Sequence, residues 1–355
     1  LLNTAILMRS PAYPAFGLTL VVNHACNLRC SYCYTGAKFH ASMPAEVGEY
    51  AVQRALSSIR LRGTLHLGFF GGEPLVEAQR IREWIRTTRR AARLQGKHVR
   101  FNLTTNGTLT DADAQAVLMD PDVDLTISCD GTPELHDRHR RDVQGRGSYA
   151  QVEATLRTLI AAHRPFSVNM VVRPDTLAGL PAGLTHLHGL GVTRFTLSLD
   201  VWTQWTGPDL ENLARIVDAA ADLWQRWLPE ISIDWFDTRI AALAGLDSVG
   251  TDTRCAFGEG EVTVAPSGRL YPCERLVGED RPGHPLQLPG LVTDGEDFLD
   301  MRAPCADPAG ACASGTACRC TNYVRTGSTA QEDNLLHALD DAVHHSLERL
   351  ISVNP

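Results

Sequence analysis

The chain has 355 residues, a formal net charge of −8, 44% hydrophobic residues and ten cysteines. That length suffices for one large domain or two ordinary ones with a sizeable buried core. The acidic balance argues against a nucleic-acid surface, which leans on concentrated Lys and Arg. No apolar stretch approaches the ~20 residues that span a bilayer, so neither nucleic acid nor membrane is expected as a partner. No charged-then-apolar leader opens the chain, and Leu1 stands where an initiating Met would be. A soluble cytoplasmic protein, preceded by further residues, is the expectation.

Along the chain, apolar runs of strand length alternate with stretches of helical period. Strands are expected at 17–22, 65–70, 99–103, 123–127, 166–172 and 193–199, and helices at 44–58, 79–94, 111–118, 149–162 and 210–227. Short buried strands separated by crossover helices form a parallel sheet. Six such repeats suit a partial (β/α)6 TIM-like barrel, an α/β fold whose ligands collect at the carboxyl ends of the strands.

After the first strand comes Cys26-x3-Cys30-x2-Cys33, three thiolates where a metal centre ordinarily wants four. Thiolates suit iron–sulfur clusters, and a missing fourth ligand keeps one position open for a small molecule. A zinc knuckle or a redox pair is the competing reading. No His or Cys follows at zinc-finger spacing to complete a tetrahedral set. The second strand runs into Phe70-Gly71-Gly72-Glu73-Pro74, where two glycines let backbone approach a ligand and a carboxylate can accept from an ammonium group. The third ends in Thr104-Thr105-Asn106-Gly107 and the fourth in Ser128-Cys129-Asp130-Gly131. These are polar partners for a ribose or an aminoacyl group, or alternatively loop caps and Asx turns. Cys129 reads as a small buried hydrophobe.

With these motifs the chain resembles the radical S-adenosylmethionine (radical SAM) family, whose CxxxCxxC holds a [4Fe–4S] cluster with one iron left for the cofactor. The resemblance places Tyr32 at the aromatic position before the last cysteine. It matches Gly71, Gly72, Glu73 and Pro74 to the motif that contacts the cofactor's amino group, and Thr105, Asn106, Ser128 and Asp130 to cofactor-binding strand ends. His136-Asp137-x2-Arg140 and Gly145-x-Gly147-Ser148-Tyr149 also match family segments. Arg140 is expected to pair with the cofactor's carboxylate, with Arg138 and Arg141 as rivals. The implied chemistry is one-electron reduction of the cluster, cleavage of S-adenosylmethionine to a 5′-deoxyadenosyl radical, and hydrogen-atom abstraction from a substrate. No general base stands out in the sequence.

A second cysteine group follows. Cys255, twelve residues, Gly268, four residues and Cys273 bracket a hairpin turn at 265–272,. This opening resembles the SPASM/twitch domain, which carries auxiliary [4Fe–4S] clusters in peptide-modifying radical SAM enzymes. Cys305, Cys312, Cys318 and Cys320 continue it, with only the Cys312-x5-Cys318 step matching the family spacing. Six thiolates allow two auxiliary clusters with three cysteines each, with Asp307 and Glu274 as candidate oxygen ligands, or one complete cluster. Structural zinc is the alternative, although the paired CxxC of zinc ribbons is missing.

The expected organisation is a radical SAM barrel at 1–235, a linker at 236–254, the cysteine-rich domain at 255–325 and a C-terminal helix at 326–355. Ser328-x2-Gln331 reads as the capping box of that helix. The Arg-rich run from Arg80 to Arg93 reads as a solvated face or as a lure for an acidic peptide leader. Trp202, Trp205, Trp224, Trp227 and Trp235 read as packing residues, with Trp202 and Trp205, just beyond the sixth strand, as the exceptions best placed to meet a substrate. The resemblance implies a ribosomal precursor peptide as substrate, a flavodoxin- or ferredoxin-like electron donor and a separate leader-recognition protein. Formylglycine formation on a sulfatase, a small-metabolite substrate, an electron-transfer protein and a zinc-binding module stay open as alternatives.

Overall fold

The computed structural model describes residues 12–243, 257–303 and 318–353. Cys255, Cys305, Asp307 and Cys312 lie outside the described residues. The chain divides into two compact units interleaved in sequence. One takes Leu1–Ala25, Thr35–Leu103 and Ala256–Cys305, and the other Cys26–Tyr34, Thr104–Cys255 and Ala306–Pro355.

In the first unit, β1 (Tyr13–Asn23), β2 (Ile59–Gly71) and β3 (His98–Thr105) pair in parallel, joined by helices α1 (Ala45–Ser58) and α2 (Ala78–Leu94). Leu18 pairs with Leu67, and Leu67 with Phe101. Residues Leu20 to Asn23 are buried without a break, as expected of a strand end covered on both faces,. Helix α2 buries Ile81, Trp84, Ile85, Thr88 and Ala92 at spacings of three and four, while Arg82, Arg86, Arg90 and Arg93 stay exposed,. The arginine run is a solvated helix face.

On its other edge β1 pairs in parallel with a short strand at Glu261–Val264, which turns into an antiparallel strand at Leu270–Tyr271. The turn closes through Gly268 N to Ala265 O at 2.9 Å, with Gly268 in the left-handed region at φ 84°,. This is the hairpin expected between Cys255 and Cys273. The segment beyond it is anchored by Arg54 of α1, which is buried. Arg54 donates to the carbonyls of Leu291 (3.0 Å), Val292 (2.8 Å) and Asp297 (2.8 Å) and lies 4.2 Å over the Phe298 ring.

The second unit holds the parallel strands β4 (Val123–Ser128), β5 (Ser167–Val172), β6 (Arg194–Leu199) and β7 (Ser232–Ile233), paired in that order. Its helices are α3 (Ala112–Leu118), α4 (Pro133–His139), α5 (Tyr149–Ala161), α6 (Leu180–Leu190), α7 (Gly207–Trp227) and α8 (Asp234–Leu243). The numbering continues with the hairpin strands as β8 and β9, then α9 (Arg319–Thr326) and α10 (Asn334–Val353). Thr206 and Asp209 form the capping box of α7. Helix α10 is tied to α7 by Arg349, which reaches Asp218 at 2.8 Å and Asp222 at 2.6 Å.

The capping box expected at Ser328 does not start α10. Ser328 Oγ accepts from Ala330 N (3.1 Å) and Gln331 N (3.2 Å), a local turn, and Asp333 Oδ1 instead takes Leu335 N at 2.8 Å where the helix begins. A hydroxyl followed by free amides caps whichever turn forms first. No helix among the described residues is long and apolar enough to cross a membrane.

Candidate active site

The three cysteines after β1 occupy a single partly exposed loop. Backbone bonds from Arg29 N to Arg141 O (2.6 Å) and Ser31 N to His139 O (3.0 Å) lay this loop along the end of α4. The Leu28 amide points at Cys26 Sγ at 3.3 Å, and the side-chain amide of Asn106, just past β3, stands 3.9 Å from the same sulfur. Thiolates that ligate a cluster accept such N–H donors, so the donor set and its surroundings fit an iron–sulfur group. Among the described residues, no three His, Cys, Asp or Glu side chains are arranged to hold a single metal ion.

Beside the loop lies a buried charge pair. Asp130, past the end of β4, accepts from Arg140 Nε at 3.0 Å, from the Tyr32 hydroxyl at 2.5 Å and from Val171 N at 3.0 Å. Both charged side chains are 7% exposed. Burial alone would push the Asp130 carboxyl up, but Arg140 and these hydrogen bonds hold it below the usual carboxylate range,. The Arg140 and Arg173 guanidinium groups lie 5.3 and 5.6 Å from the centre of the Tyr32 ring,. Tyr32 is thus fixed at its hydroxyl and across its face.

The His136 to Tyr149 segment forms a latch. His136 Nδ1 accepts from Asp130 N at 3.4 Å, so its Nε2 carries the proton toward Ser148 Oγ at 2.9 Å, and Ser148 in turn donates to Arg140 O at 2.9 Å,. Burial pushes the His136 imidazole down to about 3, keeping it neutral. Asp137 Oδ1 takes Tyr149 N at 2.8 Å, and a Cβ on Gly147 would lie 2.1 Å from that carboxylate. Only glycine fits there without displacing the latch.

Within the first unit, Gly71 to Pro74 close against the end of β1. A Cβ on Gly72 would meet Ala25 O at 2.2 Å, and Glu73 N donates to that same carbonyl at 2.8 Å. Asn23 Nδ2 donates to Glu73 O at 2.9 Å, while Glu73 Oε1 caps Leu75 N at 2.9 Å at the start of the 3₁₀ turn Pro74–Glu77. The glycines fix the backbone of the residue preceding Cys26.

Residues 20–180 match the model of the Radical SAM superfamily. These residues form a radical SAM domain. Its cofactors are S-adenosylmethionine and a [4Fe–4S] cluster. The cysteine-type anaerobic sulfatase-maturating enzyme of Clostridium perfringens is 28% identical over 282 residues, 73% of this chain and 75% of the relative. The PqqA peptide cyclase of Rhodopseudomonas palustris is 25% identical over 342 residues, 90% of this chain and 86% of the relative. A solved structure of native anSMEcpe with bound AdoMet superposes with a TM-score of 0.76 at 18% identity, covering 96% of this chain and 99% of that one. The fold is therefore the partial barrel of radical SAM maturases. Relatives that act on peptides and proteins surround this chain.

The second unit gathers Tyr32, Asn106, Asp130 and Arg140 around the cysteine loop, with Thr105 and Ser128 buried at the ends of β3 and β4. Thr105 Oγ1 takes Gly107 N at 3.1 Å, a turn-shaping role. Arg140 gives its Nε to Asp130. Of its rivals, Arg138 pairs with Asp175 at 3.1 Å and Arg141 donates to Gly145 O at 3.0 Å.

Cys129 is buried and its thiol is pushed up to about 12 by burial, in keeping with a small hydrophobe. Of the later cysteines, Cys273 is buried just past β9, 3.7 Å from Glu274 Oε2, and Cys318 and Cys320 stand 3.2 Å apart at the start of α9. The remaining three fall outside the described residues.

Trp202 is 40% exposed and stacks on Tyr34, next to Cys33, with ring centres 4.4 Å apart. Trp205 is instead committed to the scaffold, its indole N–H donating to Asp200 O at 2.9 Å. Asn27, Thr108, Arg173 and Asp200 also bond at this site, outside the motif positions legible in the sequence. Arg173 pairs with Asp200 at the ends of β5 and β6, and an Asp closing an apolar strand was the available signal.

Proposed function

We propose that the chain is a radical SAM enzyme that modifies a residue of a ribosomally made peptide. Cys26, Cys30 and Cys33 would hold the [4Fe–4S] cluster. When bound, cluster and S-adenosylmethionine supply a 5′-deoxyadenosyl radical that removes a hydrogen atom from an unactivated carbon. Tyr32, Asn106, Asp130 and Arg140, all in the second unit, would orient the cofactor beside that loop. The observation that carries the reading is the three-cysteine loop with N–H donors trained on Cys26.

Forming a crosslink or thioether takes two hydrogens from the peptide. One leaves as an atom to the nucleoside radical, and the other as a proton whose electron needs an acceptor. Cys255, Cys273, Cys305, Cys312, Cys318 and Cys320 are proposed to hold one or two auxiliary [4Fe–4S] clusters that accept it. A flavodoxin- or ferredoxin-like protein would supply the first electron in the cytoplasm, and a separate protein would present the leader of the peptide.

The sulfatase-maturating relative favours a second reading, oxidation of a Cys or Ser side chain to formylglycine. Co-expression with a peptide encoded by any short open reading frame found beside the gene, followed by mass spectrometry, separates the two. Loss of two hydrogens with fragmentation blocked between two residues supports a crosslink. An aldehyde that reacts with hydrazide, with no blocked fragmentation, supports formylglycine. An unmodified peptide recovered beside active enzyme counts against both for that peptide.

A further inference from the structure

Three polar side chains close a ring beside Cys26. Asn27 Nδ2 donates to Thr108 Oγ1 at 2.7 Å, Thr108 Oγ1 donates to Asn106 Oδ1 at 2.6 Å, and Asn106 Nδ2 donates to Asn27 Oδ1 at 2.9 Å. Each group gives and takes in one direction around the ring, so each bond polarises the next. The Asn106 amide cannot be turned over, because Oδ1 also accepts the Thr108 backbone N–H at 3.0 Å, and an amide nitrogen cannot accept it,. One hydrogen of Nδ2 serves Asn27, and the other faces Cys26 Sγ at 3.9 Å.

The turn that makes this possible is built into Thr105 to Thr108. Gly107 sits in the left-handed region at φ 70°, its amide bonds Thr105 Oγ1 at 3.1 Å, and a Cβ there would come within 2.9 Å of Ile127,. Asn106 is 8% exposed, so its amide has little water to turn to. These features exceed what a loop cap needs.

We propose that the Asn27–Thr108–Asn106 ring is a positioning device that tunes the reduction potential of the cluster through Cys26. The inference rests on the reading that Cys26, Cys30 and Cys33 hold that cluster. Adding an electron places negative charge on the thiolate sulfurs, and N–H donors aimed at a sulfur stabilise the reduced form. The Leu28 amide and the Asn106 amide both act on Cys26. Only the second depends on side chains, and the ring holds it in place.

The test is a potentiometric titration of the anaerobically reconstituted full chain with a low-potential chemical reductant. It follows the electron-paramagnetic-resonance signal that S-adenosylmethionine perturbs, with iron counted per chain. Thr108→Val opens the ring and leaves Asn106 in place, whereas Asn106→Leu removes the donor. Both are expected to keep wild-type iron while the ratio of reduced to oxidised cluster at a fixed potential falls, by about threefold for Thr108→Val and about tenfold for Asn106→Leu, where tenfold is 59 mV for one electron. Unchanged titrations in both variants overturn the proposal. So does loss of iron from folded Thr108→Val protein, which would make the ring a support for occupancy. If wild-type protein takes up no iron, or its signal ignores S-adenosylmethionine, the underlying reading of the three cysteines fails instead.

Discussion

Arg140 and Asp130 form a buried ion pair with Nε and Oδ2 3.0 Å apart, and the Tyr32 hydroxyl shares the same carboxylate oxygen. A side chain between Cys30 and Cys33 is thereby fixed to the end of β4. Asp130→Ala would leave the Arg140 charge buried without its counterion, a loss of about 3–5 kcal/mol. Tyr32→Phe deletes one hydrogen bond to a charged group, about 1.5–3 kcal/mol. Chemical denaturation measures both, and an Asp130→Ala loss no larger than that of Tyr32→Phe would show that the pair is not the anchor.

The neutral His136 makes the fold sensitive to acid. Its folded-state pKa, near 3, lies below the ordinary 6.5, so between those values the unfolded chain binds the extra proton. Stability is fully present above about pH 6.5 and is lost as the pH falls toward 3. At about pH 4.5 the loss from this residue is about 2–3 kcal/mol. Asp130, also held low, adds to the loss at more acid pH, while Asp234, pushed up to about 6 by burial, works the other way. Comparison with His136→Gln isolates the imidazole, and the variant should lose less stability than wild type between about pH 7 and pH 4.5. Parallel curves would refute a buried neutral His136.

Two glycines in one motif should behave differently. Gly147→Ala drives a methyl into the Asp137 carboxylate and should cost about 1–3 kcal/mol,. Gly145 has φ 77° and nothing within 4 Å of a built Cβ, so Gly145→Asn should stay within about 1 kcal/mol of wild type,. Thermal melts of the two variants check the order, and a reversed order would mean that the latch tolerates a side chain at 147.

Arg54→Met keeps much of the volume under Phe298 and removes every donor to Leu291, Val292 and Asp297. A loss of about 2–4 kcal/mol is expected, together with faster proteolysis between residues 291 and 299. Cleavage there at the wild-type rate would show that the guanidinium is dispensable.

Much of this molecule could be read from its residues. Strands β1 to β6 were legible because buried parallel strands are short apolar runs, and α2 and α7 because their apolar positions repeat every three or four residues. Helices α4 and α6 were missed. The first has seven mostly polar residues; the second buries Leu180, Gly183, Leu184 and Leu187 on one face, but two glycines and two histidines dilute that pattern. The site motifs were visible as words, but their bonding was not. Thr108 meets Asn27 across 81 positions of chain, and Arg140 meets Asp130 only because α4 turns back on β4. Local patterning cannot encode such pairings.

The most direct measurement is the release of 5′-deoxyadenosine from S-adenosylmethionine by reduced, iron-loaded protein. Wild-type protein and Cys129→Ala should release it, and Cys30→Ala should not. Iron-loaded wild-type protein that leaves S-adenosylmethionine intact, or Cys30→Ala protein that cleaves it as fast as wild type, would contradict the assignment of the chemistry to the three-cysteine loop.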